Sequence, residues 1–474
     1  MSMIDVSNLT FGYEGSPELI FDHVGFQIDS GWKLGFTGRN GRGKTTFLRL
    51  LQGEYPYSGT ISASVEFEYF PYEVANLSRT GLEVVREIAP EAEDWEIQRE
   101  LGLLDLAERS LELPFSSLSN GERTKVLLAA MFLKENAFLL IDEPTNHLDL
   151  EGRRKLGSYL ARKRGFLLVS HDRAFLDQCV DHILAINRTN IEIQRGNFSS
   201  WWENRRRQDA FELARQEKLQ KDIGRLTESA RRASGWSDRT EKSKFGVDKT
   251  GAKAADRGFV GHKAAKLMQR SKSIQRRREE AVEEKKQLLQ NLERQEALAV
   301  TPLPCRTGAR LAEFRDVAVC YNGRRVCREI TFEVLAGERI ALQGANGCGK
   351  SSLLKLLLGE EIPHSGTVET MSGLVVSYVS QNTDHLRGSL TEFVRTQGLD
   401  GSRFRTILRK LDVPREQFEK DLYVWDEPLN FIDVISRMQV EDLLLACRPT
   451  LLFVEHDARF CDEIATRRIR IQRE

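Results

Sequence analysis

The chain has 474 residues, and its 70 Lys and Arg residues are balanced by 70 Asp and Glu residues, so the formal net charge is zero. This length predicts about two to four domains, and the zero balance excludes a partner selected by overall charge. No apolar run approaches the roughly 20 residues that a membrane-spanning helix requires. Because the segment Met1–Thr10 does not resemble a signal peptide and the seven cysteines form no metal-binding or disulfide pattern, we expect a cytoplasmic protein with reduced thiols.

Residues 1–197 are predicted to form an α/β domain, because apolar runs bounded by turn residues are followed by helical periodicity. The segment from Gly38 to Thr46, GRNGRGKTT, fits the phosphate-binding pattern GxxxxGK followed by Ser or Thr. Its glycines let backbone N–H groups point at phosphate oxygens, and the following helix adds its positive end. We expect Lys44 to neutralise the β- and γ-phosphates of a nucleotide and Thr45 to bind Mg²⁺ through its hydroxyl.

Downstream of this loop, a pair of acids and a histidine end two further apolar runs. Asp142 and Glu143 follow the run FLLI, which places them at the carboxyl edge of the predicted sheet, where ligands bind in open α/β folds. We expect Asp142 to hold Mg²⁺ through water and Glu143 to polarise the attacking water as general base. His171 follows the run FLLVS and is predicted to hydrogen-bond the γ-phosphate and to report its loss.

Residues 198–305 are rich in Arg, Lys, Gln and Glu, and are predicted to form an antiparallel helical hairpin. Apolar residues recur there at the spacing that a two-helix coiled coil buries, at Leu219, Ile223, Leu226, Ala230 and Ala233 and again at Leu267, Ile274, Ala281 and Leu288. Five glycines from Gly235 to Gly261 interrupt the helical pattern and predict a tip near residues 235–262.

The charge of this linker favours a nucleic-acid partner. Between Arg225 and Arg278, sixteen Lys or Arg residues stand against five Asp or Glu residues, so the linker is cationic although the whole chain is neutral. Aromatic residues among these charges can stack on bases, and the predicted RNA-contacting set is Trp236, Lys244, Phe245, Arg257, Phe259, His262 and Lys263. A solvated charged coiled coil without an RNA partner is the alternative.

Residues 306–474 repeat the motif order of the first domain, so the duplication predicts a second α/β domain with its own nucleotide site. Its phosphate loop is GANGCGKSS, its acids are Asp426 and Glu427, and its histidine is His456. The two loops supply the predicted nucleotide-binding residues, which are Gly38, Asn40, Gly41, Gly43, Lys44, Thr45 and Thr46 in the first half and Gly344, Asn346, Gly347, Gly349, Lys350, Ser351 and Ser352 in the second. Ser351 and Asp426 are the predicted counterparts of Thr45 and Asp142 at Mg²⁺.

The segment LSNGE, which ends at Glu122, resembles the signature motif of ABC ATPases, with Asn120 in place of a glycine and Glu122 in place of a glutamine. The resemblance extends over nearly the whole chain. It implies that a nucleotide is bound between the phosphate loop of one cassette and the signature of the other, with Ser119 and Gly121 at the γ-phosphate.

The same resemblance assigns three further side chains. It implies that Tyr13 and Tyr321 stack on adenine and that Gln381 contacts the metal. In the first half, the sequence Phe70-Pro-Tyr72 stands where this glutamine is expected. The metal contact of the first site is therefore expected to differ from that of the second.

Twin cassettes joined by a charged helical linker, without a membrane domain, resemble the ABC-F family of ribosome-binding ATPases. The segments FGY, GRNGRGKTT, LSNGE, WDEPLNFID and RGFVGHKAAK look most like the Lsa-type antibiotic-resistance members. This resemblance implies a monomer with intramolecular cassette pairing that uses ATP and Mg²⁺, binds the ribosomal E site, and places its linker against rRNA and P-site tRNA. It also implies displacement of lincosamides, streptogramin A compounds and pleuromutilins. The alternatives are a housekeeping translation factor of the same family, an ATPase subunit of a membrane transporter, and an inactive deletion form.

The second half lacks a segment that the first half contains. Leu104 to Asp142 spans about 38 positions, whereas the matching Leu411 to Asp426 spans about 15, and no LSGGQ-like string precedes Asp426. We therefore expect the site on Lys350 to be complete, because the signature of the first half faces it. The site on Lys44 is expected to lack an opposing signature, with weak closure and little hydrolysis.

Overall fold

The computed structural model describes residues 2–13, 19–146, 148–187, 190–242, 308–321, 323–381, 422–429 and 432–473, together with scattered residues between 262 and 282. The chain divides into two compact units, one formed by Met1–Trp201 with Gln295–Glu474 and the other by Trp202–Arg294. None of the helices described is both long enough and apolar enough to cross a bilayer.

In the described part of the first half, nine strands form two sheets. They are β1 Met3–Phe11, β2 Phe21–Asp29, β3 Lys33–Thr37, β4 Ser58–Ser62, β5 Glu66–Phe70, β6 Ala137–Asp142, β7 Phe166–Val169, β8 His182–Ile186 and β9 Ile191–Arg195. A small antiparallel sheet has the order β2-β1-β4, and a larger sheet has the order β5-β6-β7-β3-β8-β9. The larger sheet is parallel except for β9, which runs antiparallel to β8. The apolar runs of β6 and β7 are buried, as expected of central parallel strands that are covered on both faces.

The helices of the first half are α1 Lys44–Leu51, α2 Gly81–Ile88, α3 Asp94–Leu103, α4 Arg109–Glu112, α5 Asn120–Met131, α6 Leu150–Leu160 and α7 Arg173–Cys179. Helix α1 places Phe47, Leu48 and Leu51 in a core that also contains residues of both sheets. Helix α5 begins after Ser119, because Ser119 and Glu122 form a capping box that satisfies free N–H groups of the first turn. Packing of α1 in the core holds the phosphate loop in position, and the capping box of α5 holds the signature motif in position.

The linker begins with α8 Phe198–Lys242, a helix of 45 residues. The predicted interruption at Gly235 is wrong, because α8 continues through this residue. One glycine costs a helix only about 1 kcal/mol relative to alanine, which a long helix can accommodate. Leu219, Ile223 and Leu226 are half-buried on α8 whereas Lys218 and Arg225 are exposed, in agreement with the predicted stripe. The antiparallel pairing and the remainder of the predicted tip lie outside the described residues.

The second half repeats the architecture of the first. Its elements are β10 Arg310–Tyr321, β11 Arg324–Arg325, β12 Ile330–Leu335, β13 Arg339–Gln343, α9 Lys350–Leu357, β14 His364–Thr370, β15 Val376–Val379, β16 Leu422–Asp426, α10 Val434–Cys447, β17 Leu451–Val454, α11 Ala458–Ile464 and β18 Arg467–Arg470. An antiparallel sheet is centred on β10, and a parallel sheet has the order β15-β16-β17-β13-β18. The predicted α/β class is confirmed for both halves. The stretch in which the second signature is missing falls within residues 382–421, which the structure does not describe.

Candidate nucleotide sites

Each phosphate loop connects a central parallel strand to the helix that follows it. Gly43 and Gly349 cap α1 and α9, with φ angles of 88° and 91° that only glycine adopts without strain. A Cβ atom added to Gly43 would lie 2.4 Å from Cγ2 of Ile20. Backbone geometry and crowding therefore both require glycine at this position.

The two loop lysines are buried and folded back over their own loops. Lys44 Nζ donates to the carbonyl oxygen of Gly38 at 2.7 Å, and Lys350 Nζ donates to that of Gly344 at 2.9 Å. Burial lowers the pKa of Lys44, and the charge of Asp433 opposes that shift. Both ammonium groups are thus held inside their loops, where phosphate groups are expected to bind.

A hydroxyl and a carboxylate converge beside each loop. Thr45 Oγ1 donates to Asp142 Oδ2 at 3.3 Å, and Ser351 Oγ donates to Asp426 Oδ1 at 3.1 Å. These are the hard oxygen donors that Mg²⁺ prefers, and the ion commonly completes its coordination with nucleotide oxygens and water. The residues present therefore fit a Mg²⁺ ion that is shared with a nucleotide.

The first site contains a contact that the motifs did not predict. Tyr69, on β5, donates its hydroxyl to Asp142 Oδ2 at 3.1 Å. Tyr378 has the equivalent position on β15, since each tyrosine pairs with the residue two positions before the aspartate. The repetition of this tyrosine in both halves was a signal that sequence reasoning could have used.

The catalytic candidates lie at the carboxyl ends of β6 and β16. Glu143 and Glu427 both have a φ of 50°, which is uncommon for a residue with a side chain and is typical of functional sites. His171 Nε2 is 3.4 Å from Glu143 Oε1, and His456 Nε2 is 3.1 Å from Glu427 Oε1. In the second site, Gln381 Nε2 also donates to Glu427 Oε2 at 2.7 Å.

The glutamate and histidine of the first site are both largely buried. Burial raises the pKa of Glu143 to about 8, with a smaller opposing effect from Arg437, and burial lowers the pKa of His171 well below its usual value. Among the described residues, buried Glu143 Oε1 has no hydrogen-bond partner, because His171 Nε2 at 3.4 Å does not complete a hydrogen bond to it. The carboxylate of Glu427 is held from two sides by Gln381 and His456, so the two sites differ in how firmly their glutamates are oriented.

The second site is a cavity of about 640 Å³ that is lined by both halves of the chain. The first half contributes the start of α5 and part of α6, and the second half contributes its phosphate loop and catalytic candidates. The predicted site residues that line it are Ser119, Gly121, Tyr321, Asn346, Gly347, Gly349, Lys350, Ser351, Ser352, Gln381, Glu427 and His456. Asp149 Oδ2, at the start of α6, accepts a hydrogen bond from the backbone N–H of Asn346 at 3.3 Å. The structure therefore places the signature of the first half opposite the second phosphate loop.

The first site is a cavity of about 570 Å³ with a different lining. Among the described residues, only the first half lines it, and the predicted site residues in this lining are Tyr13, Asn40, Gly41, Gly43, Lys44, Thr45, Thr46, Asp142, Glu143 and His171. The second half approaches through Asp433 Oδ2, which accepts from the backbone N–H of Asn40 at 3.3 Å.

The two predicted adenine-stacking residues are equivalent in the structure. Tyr13 and Tyr321 are 44% and 46% exposed, and their hydroxyls lie 2.9 Å from Thr46 Oγ1 and Ser352 Oγ. Each hydroxyl is thus anchored to the start of the helix after the phosphate loop. The side chains remain largely accessible to a ligand, and each lines its cavity.

Most of the predicted RNA-contacting residues cannot be placed. Lys244, Phe245, Arg257, Phe259 and Lys263 lie outside the described residues, as does the side chain of Trp236 on α8. His262 is helical and exposed.

Two contacts made by the second half, one of them a buried ion pair, were missed in the sequence. Arg173 on α7 donates to Glu441 on α10, and both side chains are almost fully buried. Arg459 on α11 donates to Ser199 Oγ, in the first turn of α8, at 3.0 Å. Because these partners are far apart in the sequence, no local pattern indicates the pairs.

Comparison with known proteins identifies the family to which these motifs belong. The ABC transporter family model matches residues 21–146 and 327–438. The chain is similar to the ribosome protection protein VmlR of Bacillus subtilis, with 27% identity over 97% of this chain and 86% of that protein. It is also similar to the ATP-binding protein Uup of Caulobacter vibrioides, with 29% identity over 94% of this chain and 74% of that protein.

A solved structure shows the same fold. It contains the archaeal ribosome recycling factor aABCE1 in complex with the ribosomal stalk protein aP1, and it matches with a TM-score of 0.61 and 16% identity over 98% of this chain and 89% of that one. The sequence relatives confirm the resemblance to ABC-F ATPases. The chain therefore belongs to the ABC transporter family, as a P-loop ATPase with two cassettes on one polypeptide.

Proposed function

We propose that the chain is an ATP-driven ribosome protection factor. In this proposal it binds the ribosomal E site, directs its cationic linker toward rRNA and P-site tRNA, and displaces lincosamides, streptogramin A compounds and pleuromutilins from the peptidyl-transferase centre. Support comes from VmlR, a protein named for ribosome protection, whose similarity extends over 97% of this chain. The surplus of positive charge between Arg225 and Arg278 supports an RNA partner independently of that similarity.

The main support for an ATP-driven mechanism is the second cavity, which is lined by residues of both halves. A nucleotide between Lys350 and Ser119 would make contacts with both cassettes at once. If the nucleotide binds the closed arrangement of the halves more tightly than the open one, its binding stabilises the closed arrangement by that difference in binding free energy. Loss of the γ-phosphate would remove part of that stabilisation and allow release.

Hydrolysis in the second site is assigned to residues of this chain. Glu427 accepts a proton from the attacking water, and its contacts with Gln381 and His456 hold the carboxylate in place. Lys350 and the backbone of its loop neutralise the phosphates. Ser351 and Asp426 would hold Mg²⁺, which supplies charge neutralisation at the phosphate oxygens when bound.

The first site is proposed to retain nucleotide and to hydrolyse it slowly. The described lining comes from the first half alone, so no signature serine or glycine is available in it to complete the binding of a γ-phosphate. Asp142 is engaged by both Thr45 and Tyr69, and Tyr72 stands at the position that corresponds to Gln381. A nucleotide bound in the first site would contribute more to the amount of nucleotide that the chain retains than to the rate of ATP hydrolysis.

Ribosome pelleting tests the proposal directly. Glu427→Gln should accumulate on purified ribosomes in ATP and remain unbound in ADP, because binding is retained while hydrolysis is blocked. Growth on lincosamide and pleuromutilin plates, with and without expression of the wild-type chain, then separates protection from a general role in translation. Failure of Glu427→Gln to pellet with ribosomes in ATP would overturn the proposal.

A further inference from the structure

Lys125 is a cation in the second cavity to which no motif assigns a role. It lies on α5 one helical turn beyond Gly121, and residues four apart lie on the same face of a helix. Its side chain lines the cavity together with Ser119, Lys350 and Ser351. The first half thus presents a lysine to the phosphate loop of the second half.

The ammonium group of Lys125 has no bonded partner among the described residues. Within the residues that the structure describes, it makes no hydrogen bond and no ion pair, whereas Lys134, Lys155 and Lys163 each contact a carboxylate. Lys125 is half-buried, so water replaces these missing contacts only in part. A partly buried ammonium without a bonded partner is costly and is stabilised by an incoming anion.

The surrounding charges do not provide that anion. Burial has the largest effect in lowering the pKa of Lys125, and the positive charge of Lys155 adds to it. Asp105, Asp149 and Glu122 act in the opposite direction without bonding to the ammonium group. The loop that is expected to bind phosphate lines the same cavity as Lys125.

We propose that Lys125 is a further nucleotide-binding residue of the second site, whose ammonium group donates hydrogen bonds to the phosphate chain of the nucleotide on the Lys350 loop. This inference rests on the proposed ATP-driven function. With this contact, the part of α5 that faces the second nucleotide would supply a positive charge as well as the polar groups of Ser119 and Gly121. Among the described residues that line the first cavity, Lys44 is the only lysine.

The test uses the full chain carrying Lys44→Ala, so that binding reports the second site. Lys125→Gln in this background should raise the Kd for ATP about tenfold, which corresponds to about 1.4 kcal/mol, and Lys125→Arg should restore most of the affinity. Lys155→Gln is the matched control, because it removes a neighbouring positive charge that does not line the cavity. It should change the Kd by less than about twofold, as expected for an exposed ion pair.

Three outcomes would contradict the phosphate contact, and they differ in what they imply for the proposed function. An unchanged Kd for Lys125→Gln, with nucleotide bound normally by the parent chain, overturns this inference and leaves the proposed function standing. A parent chain that binds no nucleotide overturns both. A tenfold effect that disappears with 2′-deoxy-ATP assigns Lys125 to the ribose and contradicts the phosphate contact. Glutamine suits a helix interior, and Lys125→Met provides a second uncharged variant if Lys125→Gln does not fold.

Discussion

Replacing each catalytic glutamate by glutamine should have very different effects in the two sites. Glu427 Oε2 accepts from Gln381 at 2.7 Å, and Oε1 lies 3.1 Å from His456. Glu427→Gln preserves the size and polarity of the side chain but removes its basicity. A positioned general base contributes roughly 10²–10⁴ to the rate, or about 3–5 kcal/mol of the barrier. We therefore expect Glu427→Gln to lower steady-state ATP hydrolysis at least about a hundredfold.

Glu143→Gln is the matched variant in the first site. Because the described lining of that site contains no opposing signature, we expect little turnover there, and the variant should retain more than about half of the wild-type rate. Phosphate release at saturating ATP measures both variants, with and without ribosomes. Equal loss of activity in Glu143→Gln and Glu427→Gln would refute the assignment of hydrolysis to the second site.

Three other predictions concern stability and the linker. Ser119→Ala removes the side-chain cap of α5 and should lower the free energy of unfolding by about 1 kcal/mol in denaturant titrations, whereas Ser119→Thr should retain most of it. Burial raises the pKa of Glu441 to about 7, so its proton is bound more tightly in the folded chain than in the unfolded chain. The free energy of unfolding should therefore fall by up to about 3 kcal/mol as the pH rises from about 4.5 through 7. Glu441→Gln should remove this pH dependence in thermal melts across that range. Reversing charge with Arg257→Glu and Lys263→Glu should weaken ribosome pelleting without changing ATP hydrolysis in the absence of ribosomes; unaltered pelleting would argue against an RNA contact at these residues.

The phosphate loops and the strands behind them could be predicted from the sequence because their chemistry leaves few choices. Gly43 and Gly349 must adopt a left-handed backbone, and the lysine and hydroxyl that follow are dictated by phosphate and Mg²⁺. The central strands β6 and β17 read as continuous apolar runs because both faces of a parallel sheet are covered. The duplicated order of these motifs then predicted two cassettes.

Long-range contacts could not be predicted in the same way. The pair Arg173–Glu441 depends on how the two halves face one another, and the hydrogen bond from Tyr69 to Asp142 depends on the register of β5 and β6. Gly235 indicated a turn, but propensity is a weak guide within a long helix, and α8 continues past it. The position of Lys125 in a cavity shared with the second phosphate loop likewise depends on how the two halves face one another.

The most direct measurement is ATP hydrolysis by Gly121→Asp, because Gly121 belongs to the first half and Lys350 to the second, yet both line one cavity. An added carboxylate would repel the phosphates there, while an acidic residue in the first turn of α5 suits the positive end of the helix and preserves folding. Gly102→Asp on α3 is the control, since a Cβ atom at Gly102 meets nothing within 4 Å. We expect Gly121→Asp to lose at least about 99% of the activity, the scale of losing a key electrostatic contact, and Gly102→Asp to retain it. Hydrolysis by Gly121→Asp at the wild-type rate would contradict a second site shared between the two halves.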